Sequence, residues 1–183
     1  MNKLAHTIRV LDHVSELLGK TFAYFAVLLV LITCYVVITR YVFNTGSIAI
    51  QESVLYVNAL LVFFTAGFTL KHNAHVRVDI IYGPASAKYK AWVNLLGAAF
   101  LLLPVSVFIF LSCWDYVMSS WAIREDSPEA NGLPFVYLLK TSILAMCVIL
   151  IVQGLTELLR NLHFLLDPAS TAVEMEDEDL GTL

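Results

Sequence analysis

Residues 21–39, TFAYFAVLLVLITCYVVIT, contain no charged side chain. A helix of ~20 residues crosses the ~30 Å hydrocarbon core of a bilayer, so this stretch is long enough to span a membrane. Backbone groups in lipid must be hydrogen-bonded within their own segment, and the stretch lacks the alternation of apolar and polar residues typical of barrel strands. The sequence therefore predicts a transmembrane α-helix.

Three further stretches share this apolar character. With the first they give four predicted spans, residues 21–41, 48–70, 91–116 and 133–157, within a transmembrane domain of residues 20–160. Pro104 lies inside the third span, and its missing backbone donor predicts a kink. Lys140 is the one charged residue within 133–156.

The composition supports an all-α integral membrane protein. Hydrophobic residues make up 59% of the chain and charged residues 14%, with a mean hydropathy of +0.77. Soluble domains contain more charge and less apolar character. The net charge of −4 says little about partners, because much of the acid lies in EMEDEDL, residues 174–180. We expect residues 161–183 to form a disordered, solvated tail.

The basic residues predict the orientation of the chain. One set of segments contains Lys3, Arg9, Lys20, Lys71, Arg77, Lys88, Lys90 and Arg160, whereas the opposite set contains Arg40, Arg124 and Lys140. Short loops rich in Lys and Arg stay on the cytoplasmic side. Both termini are therefore predicted to be cytoplasmic.

Residues 1–19 are predicted to form an amphipathic helix on the cytoplasmic surface. Apolar residues at helical spacing, Leu4, Ile8, Leu11, Val14 and Leu18, lie opposite Arg9, Asp12, His13 and Glu16. This pattern is typical of a helix lying in the membrane interface. The alternative is an ordinary frayed helical terminus.

The charged stretch KHNAHVRVD, residues 71–79, permits three interpretations: a metal site, a proton relay or a solvated loop. His72, His75 and Asp79 would supply three metal ligands, but no fourth partner or open catalytic position is evident. A relay needs ionisable groups through the membrane interior, and the spans offer Glu52 and Lys140 near their outer ends. We therefore expect a loop whose charge sets topology.

The sequence contains no recognisable motif for catalysis or cofactor binding. Cys34, Cys113 and Cys147 lie singly in three spans, and the five histidines lie in loops or at span ends. A haem-carrying redox anchor would need histidines inside the helices. No nucleotide-binding loop, hydrolase elbow or zinc-protease helix occurs. We expect no enzyme activity, no cofactor, no metal and no nucleic-acid partner.

Polar residues near or within the spans are candidates for structural roles. Arg40 and Glu52 flank a short connection and are predicted to pair at the outer interface; the alternative is that Arg40, and more so Lys140, extends to lipid headgroups. Three deeper residues, Asn58, Thr65 and Gln153, are expected to be satisfied by hydrogen bonds between helices.

Three segments resemble the DctQ family, the small membrane subunit of tripartite ATP-independent periplasmic (TRAP) transporters. They are RYVFNTGSIAIQE (40–52), FFTAGFTLKHNAHVRVDII (63–81) and GLPFVYLLK (132–140), and the resemblance runs over roughly residues 15–160. In the second, a glycine on the span is followed by a basic residue, then His-Val and Val-Asp. The structural or interface candidates are Arg40, Glu52, Gly67, Lys71, His75, Asp79 and Lys140.

The resemblance implies a function that composition does not show. A DctQ subunit packs in the bacterial inner membrane beside a large multi-span subunit that contains the sodium and substrate sites. A periplasmic binding protein delivers an organic acid, the sodium gradient drives uptake, and the small subunit extends the scaffold of an elevator mechanism. The alternatives are an autonomous oligomeric transporter or channel, with Glu52 as coupling carboxylate, and a redox membrane anchor.

The third span is the sequence-based candidate for facing the large subunit. Gly97, Ala98 and Ala99 would permit close approach of a partner helix. Small residues serve packing within one subunit equally well, so both roles stay open at this stage.

Overall fold

The structure, a computed structural model, describes residues 3–72, 74 and 85–166. These residues form six α-helices and one π-helical segment. The α-helices are α1 (Lys3–Ala23), α2 (Phe25–Tyr41), α3 (Ile48–Lys71), α4 (Ala87–Gly97), α5 (Leu103–Ile123) and α6 (Val136–Leu166); the π segment is Ala98–Leu102. The described part of the chain contains no strand.

Four helical stretches in the described residues are long and apolar enough to cross a membrane. They are Ile8–Tyr41, Ile48–Lys71, Ala87–Ile123 and Val136–Leu166. The predicted all-α fold with four membrane-length helices is confirmed. The helices extend beyond the apolar stretches because local signals set their ends: Ser86 accepts a bond from the Tyr89 amide, and Arg124 adopts φ 46° after α5.

Helix α6 lies at the centre of the bundle and α2 lies at its periphery. Helix α6 packs against α1, α3, α4 and α5, and its buried residues include Cys147, Gln153 and Thr156. Helix α2 packs against α3 and α1, and none of its residues is buried. The apolar surface of α2 is therefore available to lipid or to another protein.

The π segment relates directly to Pro104. A wider turn spans Ala98–Leu102, and the amide of Leu103 donates to the carbonyl of Ala98, five residues earlier. Because proline cannot donate, a local change of helical pitch before it accommodates the broken ladder. Ala98 is buried, and the segment packs against α6. At this position the small residue serves packing within the chain.

Helix α1 buries part of the face that was expected to be polar and solvated. Asp12 is 2% exposed and Ser15 is 4% exposed, whereas Val14 and Leu17 are exposed. The assignment of Asp12 to the solvent side is therefore wrong.

The same correction applies to Glu16, whose carboxylate contacts the end of α3, while Arg9 and His13 are exposed as expected. Helical periodicity shows which residues share a face. It does not show whether that face contacts water or another helix that offers hydrogen-bond partners. The placement of α1 on a membrane surface stays a prediction.

Candidate functional site

Polar side chains concentrate at the two ends of the bundle. We call Asp12, Ser15, Gln153, Glu157 and Arg160 the Asp12 cluster, which joins α1 to the C-terminal half of α6. We call Glu52, Glu125, Ser127, Leu133 and Lys140 the Glu52 cluster, which lies where α3 and α6 begin.

The Asp12 cluster is a continuous chain of hydrogen bonds. Ser15 Oγ donates to Gln153 Oε1 at 2.5 Å, and Gln153 Nε2 donates to Asp12 Oδ1 at 3.2 Å. Arg160 donates from Nη2 to Asp12 Oδ2 and from Nη1 to Glu157 Oε1, the latter at 2.7 Å. Gln153 is fully buried, so the prediction that it bonds between helices is confirmed.

Gly67 lies where three helices approach one another. A Cβ atom there would come within 2.6 Å of Ile149 Cγ2 on α6 and 3.4 Å of Ser15 Oγ on α1. Gly19 on α1 likewise lies against the side chain of Phe68 on α3. The absence of side chains at these two positions lets α1 and α3 pack closely. Gly67 therefore supports the geometry of the Asp12 cluster.

Lys71 ties the end of α3 to α1. Its Nζ lies 2.9 Å from Glu16 Oε2, and His72 Nε2 lies 3.0 Å from the same oxygen. Lys20 Nζ lies 3.0 Å from Glu16 Oε1. The Glu16 carboxylate thus contacts three side chains that are positively charged or can become so.

The other two candidates in this region, His75 and Asp79, lie outside the described residues. The structure therefore does not describe His72, His75 and Asp79 together as a metal site. Across residues 3–72, 74 and 85–166, no three His, Cys, Asp or Glu side chains are grouped so that they could hold a metal ion.

Glu52 holds the α5–α6 loop, residues 124–135, against the first turns of α3. Its Oε1 accepts from Ser127 Oγ, and its Oε2 accepts from the Leu133 amide at 2.7 Å. Gly132 lies beside both carboxylate and hydroxyl, where a Cβ would overlap them. Ser127 Oγ also accepts from the Glu129 amide at 3.1 Å. The carboxylate thus orders a loop distant in sequence.

The predicted pair between Arg40 and Glu52 is wrong. Both Glu52 oxygens accept bonds from the loop, and Arg40 forms no ion pair with any residue that the structure describes. Arg40 is exposed and lines a groove of about 250 Å³ between the end of α2 and the start of α3. The prediction considered only the α2–α3 connection and missed the loop that returns from α5.

Lys140 is paired, so the expectation that it extends freely to headgroups is wrong. Its Nζ lies 2.5 Å from Glu125 Oε2 and 3.9 Å from the centroid of the Tyr116 ring. The hydrogen bond from Lys140 lowers the pKa of Glu125 below its ordinary value. This contact joins the loop to α6 and to the aromatic end of α5.

Two further expectations about polar residues in the spans are wrong. Thr65 Oγ1 donates to the Leu61 carbonyl of its own helix at 2.6 Å, so it makes no bond between helices here. Asn58 is exposed, and its amide forms no hydrogen bond with a described residue. A hydroxyl can donate to a carbonyl of its own helix, whereas the amide of Asn58 has no partner among the described residues.

Sequence reasoning missed the partners of Gln153 and Glu52. Asp12 and Ser15 lie three residues apart, and Gln153 and Arg160 lie seven apart, so each pair shares one helix face. Matching these two polar faces would have suggested the Asp12 cluster. Ser127 and the Leu133 amide gave no comparable signal, because a loop has no periodicity.

Comparisons with known proteins agree with this architecture. The family model described as "Tripartite ATP-independent periplasmic transporters, DctQ component" matches residues 29–164. A curated relative from Vibrio cholerae serotype O1 (strain ATCC 39315 / El Tor Inaba N16961), "C4-dicarboxylate TRAP transporter small permease protein DctQ", is 27% identical over 129 residues. That alignment covers 68% of this chain and 54% of the relative, so the match spans about half the relative's length. No solved structure matches.

The family match runs from within α2 to within α6 and covers most of the chain. The chain therefore belongs to the family of DctQ components of tripartite ATP-independent periplasmic transporters.

Proposed function

We propose that this chain is the small membrane subunit of a TRAP-type secondary transporter and that it serves as a scaffold beside the large transport subunit. The observation that carries the proposal is the family match over residues 29–164, which includes most of the membrane-length helices. The resemblance of residues 40–52 and 132–140 to DctQ sequences points to the same function.

The distribution of polar contacts supports a scaffold. The Asp12 cluster joins α1 to α6, and the Glu52 cluster joins the α5–α6 loop to α3. A pathway for ions or organic acids needs polar groups through the membrane interior. In the described helices the ion pairs lie at the two ends of the bundle. Such an arrangement holds the helices in fixed relative positions. It supports the interpretation that a partner subunit carries out the transport.

In this proposal the large subunit contains the sodium and solute sites, and a periplasmic binding protein delivers the solute. The sodium gradient drives uptake in the bacterial inner membrane, while this chain widens the immobile part of an elevator-type transporter. The Vibrio cholerae relative is named for a C4-dicarboxylate. A C4-dicarboxylate such as succinate is therefore the first solute to test.

Association with a large subunit is the direct test of this proposal. An affinity-tagged copy of this chain, expressed with the multi-span protein encoded beside it, should retain that protein through purification in mild detergent. Failure to retain it under conditions where both are stably inserted would contradict the proposal.

The alternative of an autonomous transporter makes the opposite prediction. This chain reconstituted alone in liposomes should show no solute uptake above that of empty liposomes, with or without a sodium gradient. Uptake by the chain alone would favour the autonomous transporter and overturn the scaffold proposal.

A further inference from the structure

Asn58 lies in the middle of a membrane-length helix, and its amide forms no hydrogen bond with any residue that the structure describes. It lies about 15 Å from the first residue of α3 and about 20 Å from the last, at a rise of ~1.5 Å per residue. Its side chain is too short to reach lipid headgroups from that depth. An amide placed in hydrocarbon without a hydrogen bond is unfavourable.

Several other polar side chains in the spans have hydrogen-bond partners within the described chain. Thr33, Thr65, Thr141 and Thr156 each donate a hydroxyl to the carbonyl four residues earlier in the same helix. Gln153, the chemical relative of Asn58, bonds to α1. Among these residues Asn58 alone requires a partner that the described chain does not provide.

The surroundings of Asn58 form a continuous exposed surface. Gln51, Leu55, Asn58 and Val62 are all exposed and recur at spacings of four, three and four residues, which places them on one face of α3. We call these four residues the Asn58 stripe. Leu55 is 59% exposed and Val62 is 51% exposed, so apolar contacts are available on both sides of the amide.

The stripe has a charged group at its end. Gln51 also lines the groove that contains Arg40, whose guanidinium has no ion-pair partner among the described residues. A matching surface would therefore combine an apolar helix, a hydrogen-bonding group at mid-depth and an acceptor near the membrane boundary. Lipid acyl chains provide no hydrogen bond at mid-depth.

We propose that the Asn58 stripe is the docking surface for a membrane-spanning helix of the large TRAP subunit, which supplies a hydrogen-bonding side chain to the Asn58 amide. This inference rests on the proposed function. It places the partner on the second membrane-length helix, whereas the sequence favoured the third. The small residue Ala98 of the third is buried inside the chain, whereas Asn58 of α3 is exposed at mid-depth and lacks a hydrogen-bond partner among the described residues.

Site-specific photocrosslinking tests the position of the interface. A benzoylphenylalanine at Leu55 should yield an adduct with the combined mass of this chain and the large subunit when the complex is irradiated. The matched control is Phe108, which is 69% exposed and belongs to α5, a helix that packs against α6. It should yield no such adduct.

Three results would overturn the docking assignment. One is a Leu55 adduct with the mass of two copies of this chain, which would indicate a homodimer. Another is the absence of a protein adduct at Leu55 in a complex that co-purifies intact. The third is an adduct with the large subunit from Phe108 instead. In the last two results the complex itself is retained, so the proposed function would stand while the docking surface fails.

Substitutions test the hydrogen bond itself. Asn58→Leu should weaken retention of the large subunit about threefold, the change expected for an average hydrogen bond between membrane helices. Thr33→Val is the control, because that hydroxyl is satisfied within α2, and it should leave retention unchanged. Equal retention by the Asn58→Leu and Thr33→Val variants, each eluting as a single folded species, would contradict the inference.

Two bulky substitutions test whether the shape of the Asn58 stripe matters independently of the hydrogen bond. Val62→Trp enlarges the Asn58 stripe and should reduce retention of the large subunit. Val30→Trp makes the same change on the exposed surface of α2, where Val30 is 60% exposed, and should not. Reduced retention for Val30→Trp with normal retention for Val62→Trp would move the interface to α2.

Discussion

The Asp12 cluster and the Glu52 cluster use the same chemistry at different degrees of burial. Asp12 and Gln153 are almost fully removed from solvent, and their bonds connect two long helices. Glu52 is partly exposed, and its bonds fasten a loop to a helix. Removing a partner from a buried site leaves an uncompensated polar group, whereas water replaces the partner at an exposed site. The first cluster should therefore determine the stability of the bundle and the second should determine the order of the loop.

The largest effect is expected from Asp12→Ala. This change removes the acceptor for both Arg160 and Gln153, and it should lower the free energy of unfolding by about 3 kcal/mol. Chemical unfolding in detergent micelles measures the change. Arg9→Ala, at an exposed position of the same helix, should stay within about 0.5 kcal/mol of the unsubstituted chain. Similar losses for the two variants would refute the importance of the Asp12 cluster.

Gly67→Val should come next in size. Its branched side chain would overlap Ile149, and overpacking of this kind typically costs about 1–3 kcal/mol. Gly46→Val provides the matched control, because a Cβ at Gly46 meets no atom within 4 Å. The same unfolding measurement should show a loss for the first and little change for the second. A stable Gly67→Val variant would mean that α1, α3 and α6 are not closely packed there.

Glu52→Ala should affect the α5–α6 loop more than the bundle. Without the carboxylate the Leu133 amide loses its acceptor, so hydrogen exchange at Leu133 should accelerate while exchange at buried α6 amides stays slow. Arg40→Ala should leave loop exchange unchanged, because Arg40 does not contact Glu52 in the structure. Faster loop exchange in Arg40→Ala would instead support the Arg40–Glu52 pair that the sequence predicts.

The smallest effect is a pH dependence at Glu125. The bond from Lys140 lowers the pKa of Glu125 in the folded state, so its contribution is present above the ordinary glutamate pKa of ~4.3 and disappears as the pH falls below it. Thermal unfolding between pH 7 and pH 3 should therefore show an extra acid-dependent decrease in the unsubstituted chain. Glu125→Gln should lack that component. An identical pH dependence in both would exclude a stabilising contact.

The fold could be predicted from the sequence because each span is a long, predominantly apolar segment. In lipid the backbone of such a segment must form its hydrogen bonds internally, which favours a helix. The sequence also correctly predicted that Gln153 forms hydrogen bonds between helices, because a buried amide needs a partner. The same reasoning failed for Asn58, which has similar chemistry but lies on an exposed face of α3. Periodicity could not say which face each helix turns toward its neighbours.

Contacts that join distant parts of the chain were the least predictable. Glu52 and Leu133 are 81 residues apart, and nothing in their local sequence indicates that they meet. Arg40 is closer to Glu52 in sequence, and for that reason the sequence predicts it as the partner. Asp12 was assigned to solvent for a related reason, because its partners Gln153 and Arg160 lie on the last helix.

Sodium-dependent uptake is the most direct test of the central claim that this chain is a required subunit of a TRAP transporter. Membrane vesicles with the large subunit and the binding protein are supplied with labelled succinate, in the presence or absence of this chain. The account predicts sodium-dependent accumulation only when this chain is present. Equal accumulation without this chain would contradict it.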